Sequence, residues 1–283
     1  MPNYKINTLR FPGGKQKALT LSYDDGVIQD RRLVALLDRY GVKGTFNLNS
    51  ALLGRVERSV LEGIEVDIST VKPEEVPTLY RNHEIATHGA RHAALTGMGA
   101  AALCELLEDR RALEALTGHL VRGHAYPFGL YDERVLEMLR AAGIDYARTV
   151  VSTHGFELPR DFLTWNPTCH HRDPELMSLA ERFCTRDARF GQPQLFYLWG
   201  HAYEFDMHEN WEIMERFLAC VSAYQSRIWM ATNGEVFRYL SAYDRLVFSA
   251  DGELVYNPTD TELWLESKNV ICRIPAGGTA AIC

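Results

Sequence analysis

Short apolar runs recur along the first 240 residues, and most are separated by stretches with helical periodicity. The runs at 18–22 (ALTLS), 44–49 (GTFNLN), 83–87 (HEIAT), 123–126 (GHAY), 144–148 (IDYAR), 195–199 (LFYLW) and 227–232 (RIWMAT) read as buried strands. Between them, 29–40 places Leu33, Leu36 and Leu37 on one helical face, 72–82 is a weaker helix interrupted by Pro77, and 101–118 and 131–143 end on Gly118 and Gly143. The segment 173–184 predicts a helix with Asp173 as N-cap and Pro174 at its first position, and 210–224 and 233–243 predict two more. Strands alternating with helices imply a parallel sheet joined by right-handed crossovers. With seven strands the expected fold is α/β, a distorted (β/α) barrel, with a doubly wound open sheet as the alternative. From about 245 the texture changes to short strands around a D-G turn, so residues 1–244 are expected to form the barrel and 245–283 a small C-terminal β appendage. Residues 50–71 lack clear periodicity and read as an inserted loop or hairpin.

Length and charge narrow the classes. A chain of 283 residues is one large domain or two small ones. A net charge of −7 argues against a nucleic-acid backbone or an anionic membrane surface as the main partner. No apolar run reaches the roughly 18 residues that a membrane span needs, and the stretch MPNYKINTLRFPGG has no apolar signal core. A cytoplasmic location is therefore expected. The six cysteines form no C-x-x-C pair and read as free thiols.

In parallel α/β folds chemistry gathers at the C-terminal ends of strands. The first run ends in Asp24-Asp25-Gly26, the third in THGARH with His88 and His92, the fourth runs into YPFG, and the sixth into WGHAYEFD with His201. His88 and His92, spaced i, i+4, can share one ion on a helical turn. Two histidines and a carboxylate form a hydrolytic metal site of the zinc type. A divalent cation separates the roles of two adjacent carboxylates: one ligates, and the other takes a proton from the water that the metal acidifies. The bland alternative is that Asp24 and Asp25 cap the next helix and both histidines are surface polar groups. Cys169, His170 and His171 also form a metal-type cluster, but neighbouring histidines on one strand point to opposite faces, so a cleft lining or a plain loop is expected there. Trp165 and Tyr203 could offer aromatic faces to sugar rings, whereas Trp199 suits core packing equally well. Glu204 and Asp206 are read as surface polar residues, and His83 as a structural histidine.

The motifs SYDDG, HGARH and LFYLWGH resemble, in order and spacing, those of the polysaccharide deacetylase family (carbohydrate esterase family 4, the NodB-homology domain), with a weaker likeness to the gellan lyase-like subgroup. The resemblance spans roughly residues 18 to 240. It implies a metal-dependent hydrolase that removes N-acetyl or O-acetyl groups from a carbohydrate, acting on carbon–nitrogen bonds other than peptide bonds. By this resemblance Asp24 is the general base and Asp25, His88 and His92 are the metal ligands, with Zn2+ as the expected ion and Co2+ or Ni2+ as alternatives. Water on the metal is the implied nucleophile, and His201 the acid that protonates the leaving amine. Tyr126, Pro127 and Phe128 correspond to a motif that supplies a groove wall and a backbone N–H for the oxyanion. Asp161 and Trp165 correspond to an aspartate–tryptophan motif whose aspartate orients the acid histidine. One departure stands out: the arginine that normally holds the base aspartate falls at Ala125. Arg148, at the end of the next strand, is the expected replacement, ahead of Arg122. The alternatives are a carbohydrate-binding barrel without catalysis and a deacylase of a small non-polymeric amide.

Overall fold

The structure, a computed structural model, describes residues 7–282. Its centre is a parallel sheet of eight strands: β1 (Lys17–Asp24), β2 (Thr45–Leu48), β3 (Glu84–Thr87), β4 (Gly123–Ala125), β5 (Tyr146–Arg148), β6 (Cys169–His170), β7 (Gln194–His201) and β8 (Ile228–Met230). The spatial order is β5-β4-β3-β2-β1-β7-β6, with β8 paired to the first half of β1. Trp165 pairs with Arg148, and the Thr168 N–H donates to Tyr197 O (2.8 Å), so the segment entering β6 leans on β5 at one end and β7 at the other. The sheet thus curls into a distorted (β/α) barrel, as the alternation of apolar runs predicts.

Every residue of β1 is buried, which explains its continuous apolar reading. Helices α1 (Asp30–Tyr40), α2 (Ala100–Thr117), α3 (Glu133–Ala141), α4 (Leu176–Thr185), α5 (Tyr203–Met207), α6 (Trp211–Ser222) and α7 (Asn233–Tyr243) surround the sheet. The α1 stripe of Leu33, Leu36 and Leu37 packs into one core with β1, α4 and α6, while α2 and α3 close a second around Leu106, Leu136 and Leu139.

Several elements differ from the sequence reading. The weak helix at 72–82 is a 3-10 turn followed by a single α-turn over Val76–Leu79. Helix α4 starts at Leu176 rather than at Pro174. Asp173 spends its carboxylate on the Glu175 N–H (2.9 Å) and on His154 Nε2 (2.7 Å), which holds the chain in a turn before the helix. Residues 50–71 contain an antiparallel hairpin, Arg58–Leu61 with Ile64–Asp67. The C-terminal strands appear where expected, but the sheet Leu263–Ser267/Val270–Ile274 gains the N-terminal strand Asn7–Arg10 as its edge. Tyr239 of α7 locks that sheet to the barrel: its hydroxyl donates to Arg10 O (2.5 Å) and accepts from the Trp264 N–H (3.0 Å). Among the described residues five cysteines are free, and Cys283 lies outside them.

Candidate active site

The polar strand ends meet at the C-terminal edge of the barrel. Parallel register places His201, Asp24 and Asn47 side by side across β7, β1 and β2. Asp25 then leaves the strand with φ 75°, a left-handed conformation that an aspartate tolerates. Gly26 follows with φ 61°, and a Cβ there would lie 2.7 Å from Leu48 Cδ2, so only glycine lets the chain turn this close to β2. The turn aims Asp25 at the two histidines. Asp25 Oδ1 lies 3.6 Å from His88 Nε2 and 3.7 Å from His92 Nε2, and the ligand atoms of these three residues fall within 4.8 Å of one another.

The proton arrangement of His88 suits a metal. Its Nδ1–H donates to Ala125 O (2.8 Å), which leaves the Nε2 lone pair facing Asp25. Buried Asp109 braces the same residue by accepting the His88 N–H (3.0 Å) and the Ser50 N–H (2.8 Å), and burial pushes its carboxyl up to about 7. His92 has φ 55° and packs edge-on against the exposed ring of Phe128 (4.6 Å). Burial and neighbouring His88 push the His92 imidazole down, which favours the neutral ring that a cation binds. The donor set and its tautomer fit a divalent ion.

Asp24 is buried and doubly held. Asn47 Nδ2 donates to its Oδ1 (2.7 Å), and the guanidinium of Arg148 grips its Oδ2. Arg148 is the register partner of Ala125 on the neighbouring strand. An arginine moved one strand sideways at the same height in the barrel therefore reaches the aspartate, and Trp199 stacks over its guanidinium (4.3 Å). Arg122 pairs with Asp145 at the surface (2.5 Å). Burial alone would raise the Asp24 carboxyl; Arg148, His88 and His201 prevail and hold it well below the usual carboxylate range. Asp24 Oδ2 lies 3.8 Å from His88 Nε2 and 3.9 Å from His201 Nε2, so it stands between the metal-type triad and a third histidine.

A family model described as polysaccharide deacetylase matches residues 11–147, which include Asp24, Asp25, His88 and His92 and stop one residue short of Arg148. The match takes in just under half of the chain, the half that carries the aspartate pair and the two histidines. The probable polysaccharide deacetylase of Pseudomonas aeruginosa PAO1 has a similar fold, with a TM-score of 0.60 and 17% identity over 81% of this chain and 92% of that one. The Xyl-CE4 domain of a multidomain xylanase from the hindgut metagenome of Trinervitermes trinervoides aligns with a TM-score of 0.51 and 16% identity over the same 81% and 92%. At these identities the likeness is one of fold. No curated protein matches the chain by sequence.

Other residues that the deacetylase motifs point to lie elsewhere. Tyr126 and Trp165 are buried, and their side chains do not reach the cleft. The Tyr126 hydroxyl donates to Leu163 O (2.7 Å), and Trp165 is packed among Tyr146, Phe162 and Tyr197. Asp161 caps the turn Phe162–Thr164 by accepting the Leu163 N–H (2.8 Å), and among the described residues it makes no ion pair with His201. Pro127 is buried, whereas Phe128 stands 63% exposed with φ 59°, a rare conformation for a bulky side chain. Tyr203 lies beside His201, with ring centres 5.3 Å apart.

Two groups escaped the sequence reading. Asn47, a polar residue inside an apolar strand, is one. Glu204 is the other: it is buried, and its Oε2 lies 3.5 Å from His201 Nδ1 and 3.1 Å from Nε2 of both His170 and His171. Both rings reach one oxygen because β6 ends between them, so the alternation of a strand does not apply. His171 is sandwiched between Phe205 (4.1 Å) and Tyr23 (5.7 Å), in space left by Gly200, where a Cβ would fall 2.0 Å from His171 Nδ1. Glu204 stands three residues after His201 and receives its backbone N–H (3.3 Å), the spacing of a carboxylate that folds back on a helix start. That spacing was the available signal.

Proposed function

We propose that this chain is a metal-dependent hydrolase that removes N-acetyl or O-acetyl groups from a carbohydrate, with Asp25, His88 and His92 holding the ion. The observation that carries this reading is the place of Asp24, which faces a ligand histidine on one side and His201 on the other. A bound divalent ion, with zinc first and cobalt or nickel next, supplies Lewis acidity toward an acyl oxygen and lowers the pKa of water. Asp24, kept ionised and immobile by Arg148 and Asn47, accepts the proton of the attacking water. Burial alone would lower the His201 imidazole; Glu204, Asp25 and Asp24 raise it to about 9, so it is protonated at neutral pH and delivers its proton to the leaving nitrogen or oxygen. The Phe128 N–H, in a left-handed turn, would serve the developing oxyanion, as the motif resemblance implies. The exposed Phe128 ring and Tyr203 offer faces for a sugar.

The test is acetate release from acetylated chito-oligosaccharides and acetylated xylan by protein loaded with each ion, compared with Asp24→Asn. Release by the wild type and its loss in the variant is the expected result. Sugar binding without turnover at any ion would instead mark a binding barrel.

A further inference from the structure

We propose that Glu204 is the positioning residue of the acid histidine in this chain: its carboxylate, fixed by His170, His171 and Arg172, orients His201 through Nδ1 and so performs what the family motif assigns to Asp161. The proposal rests on the reading of His201 as proton donor.

The four residues come from three places in the chain. Strand β7 supplies His201, the start of α5 supplies Glu204, and the end of β6 supplies His170 and His171. Glu204 Oε2 faces three imidazoles and the His201 backbone N–H, while Oε1 lies 3.6 Å from Arg172 Nη1. Arg172 is itself gripped in bidentate fashion by Glu62 at the tip of the 58–67 hairpin (2.9 and 3.1 Å), so the carboxylate is tied to three elements. With Nδ1 turned to Glu204, the His201 Nε2 is the atom that faces Asp24 (3.9 Å). The other groups acting on His201 are the Asp25 carboxylate and the rings of Tyr203, Trp199 and His170, whose ring centres lie at 5.3, 5.7 and 6.1 Å.

A second metal site is the competing use of this cluster, since its ligand atoms also fall within 4.8 Å of one another. The tautomer of His170 decides against it. The Arg172 backbone N–H donates to His170 Nδ1 (3.1 Å), so Nδ1 presents its lone pair and the ring proton sits on Nε2, facing Glu204. A metal ligand needs the opposite arrangement, the one His88 has. His170 therefore donates to the carboxylate, and a chelated ion would require an imidazolate.

The test uses the full-length protein with 15N-labelled histidine, following His201 by NMR titration alongside acetate release and metal content. In the wild type His201 is expected to titrate near 9 with Nδ1 protonated. Glu204→Gln should bring it toward the ordinary value of about 6.5, move the alkaline limb of the rate profile down with it, and lower kcat about 10- to 100-fold with KM unchanged. Glu204→Asp should restore part of both, Asp161→Asn should move neither, and metal content should stay constant throughout. Wild-type His201 found with Nδ1 unprotonated at neutral pH overturns the proposal whether or not any variant folds. So does a titration shifted by Asp161→Asn and not by Glu204→Gln, or loss of an ion in Glu204→Gln. Absence of acetate release from the wild type sinks the acetyl-sugar reading alone, and the NMR titration still decides the pairing of Glu204 with His201.

Discussion

The Asp25–His88–His92 group and the Glu204–His170–His171 group each contain a carboxylate and two imidazoles, and both bring their ligand atoms within 4.8 Å of one another. They differ in what stands behind one ring. A carbonyl oxygen, that of Ala125, accepts from His88 Nδ1, and this frees Nε2 as a lone pair. A backbone N–H, that of Arg172, donates to His170 Nδ1, and this commits Nε2 as a donor. On the proposed reading, a single main-chain contact thus separates a group that would hold a cation from one that would hold a proton carrier. His201 stands beside both, with Nε2 facing Asp24 and Nδ1 facing Glu204.

The largest effect expected from breaking this comparison falls on the cation side. Asp25→Ala or His88→Ala should remove both the bound ion and turnover, because the remaining two ligands cannot hold it. Metal analysis and acetate release check this together. Next comes Arg148→Ala. Arg148 is wholly buried, and its loss leaves Asp24 buried without its cationic partner, at a cost of about 3–5 kcal/mol measurable by denaturant unfolding.

The third effect concerns pH. The folded pKa of His201 is raised, so its contribution to stability is complete below the unfolded value of about 6.5 and is lost as pH rises through about 9. The wild-type melting temperature should therefore fall over that window, and Glu204→Gln should flatten the fall. The smallest effect belongs to the rim. Arg172 and Glu62 pair at the surface, and Glu62→Ala should leave both stability and metal content almost untouched. A larger loss would mean that the hairpin anchors the Glu204 side of the site.

Much of this site was legible because its residues stand at strand ends in a repeating pattern. Asp24, Asp25, His88, His92 and His201 each follow an apolar run, and the parallel sheet gathers such positions at one edge. Arg148 was legible for the same reason, since it ends the strand next to the vacant motif position. What stayed hidden depends on tertiary neighbours. Trp165 and Tyr126 are amphipathic aromatics, and only packing decides whether their faces meet solvent or core. Asp161 looked available until its carboxylate proved to cap its own turn. Glu204 follows a strand in a polar stretch that also fits a surface loop, and only the fold buries it against two histidines from a distant segment. The strand Asn7–Arg10 was missed because it is short and its partner lies more than 250 residues away. Among the described residues no helix is long and apolar enough to cross a membrane, which agrees with the hydropathy of the sequence.

The most direct test of the difference between the two clusters is the metal content of the purified protein by elemental analysis, measured for the wild type, His88→Ala and His170→Ala. One divalent ion per chain, lost in His88→Ala and kept in His170→Ala, is the expected result. Two ions per chain, or an ion lost with His170 and kept without His88, would contradict it.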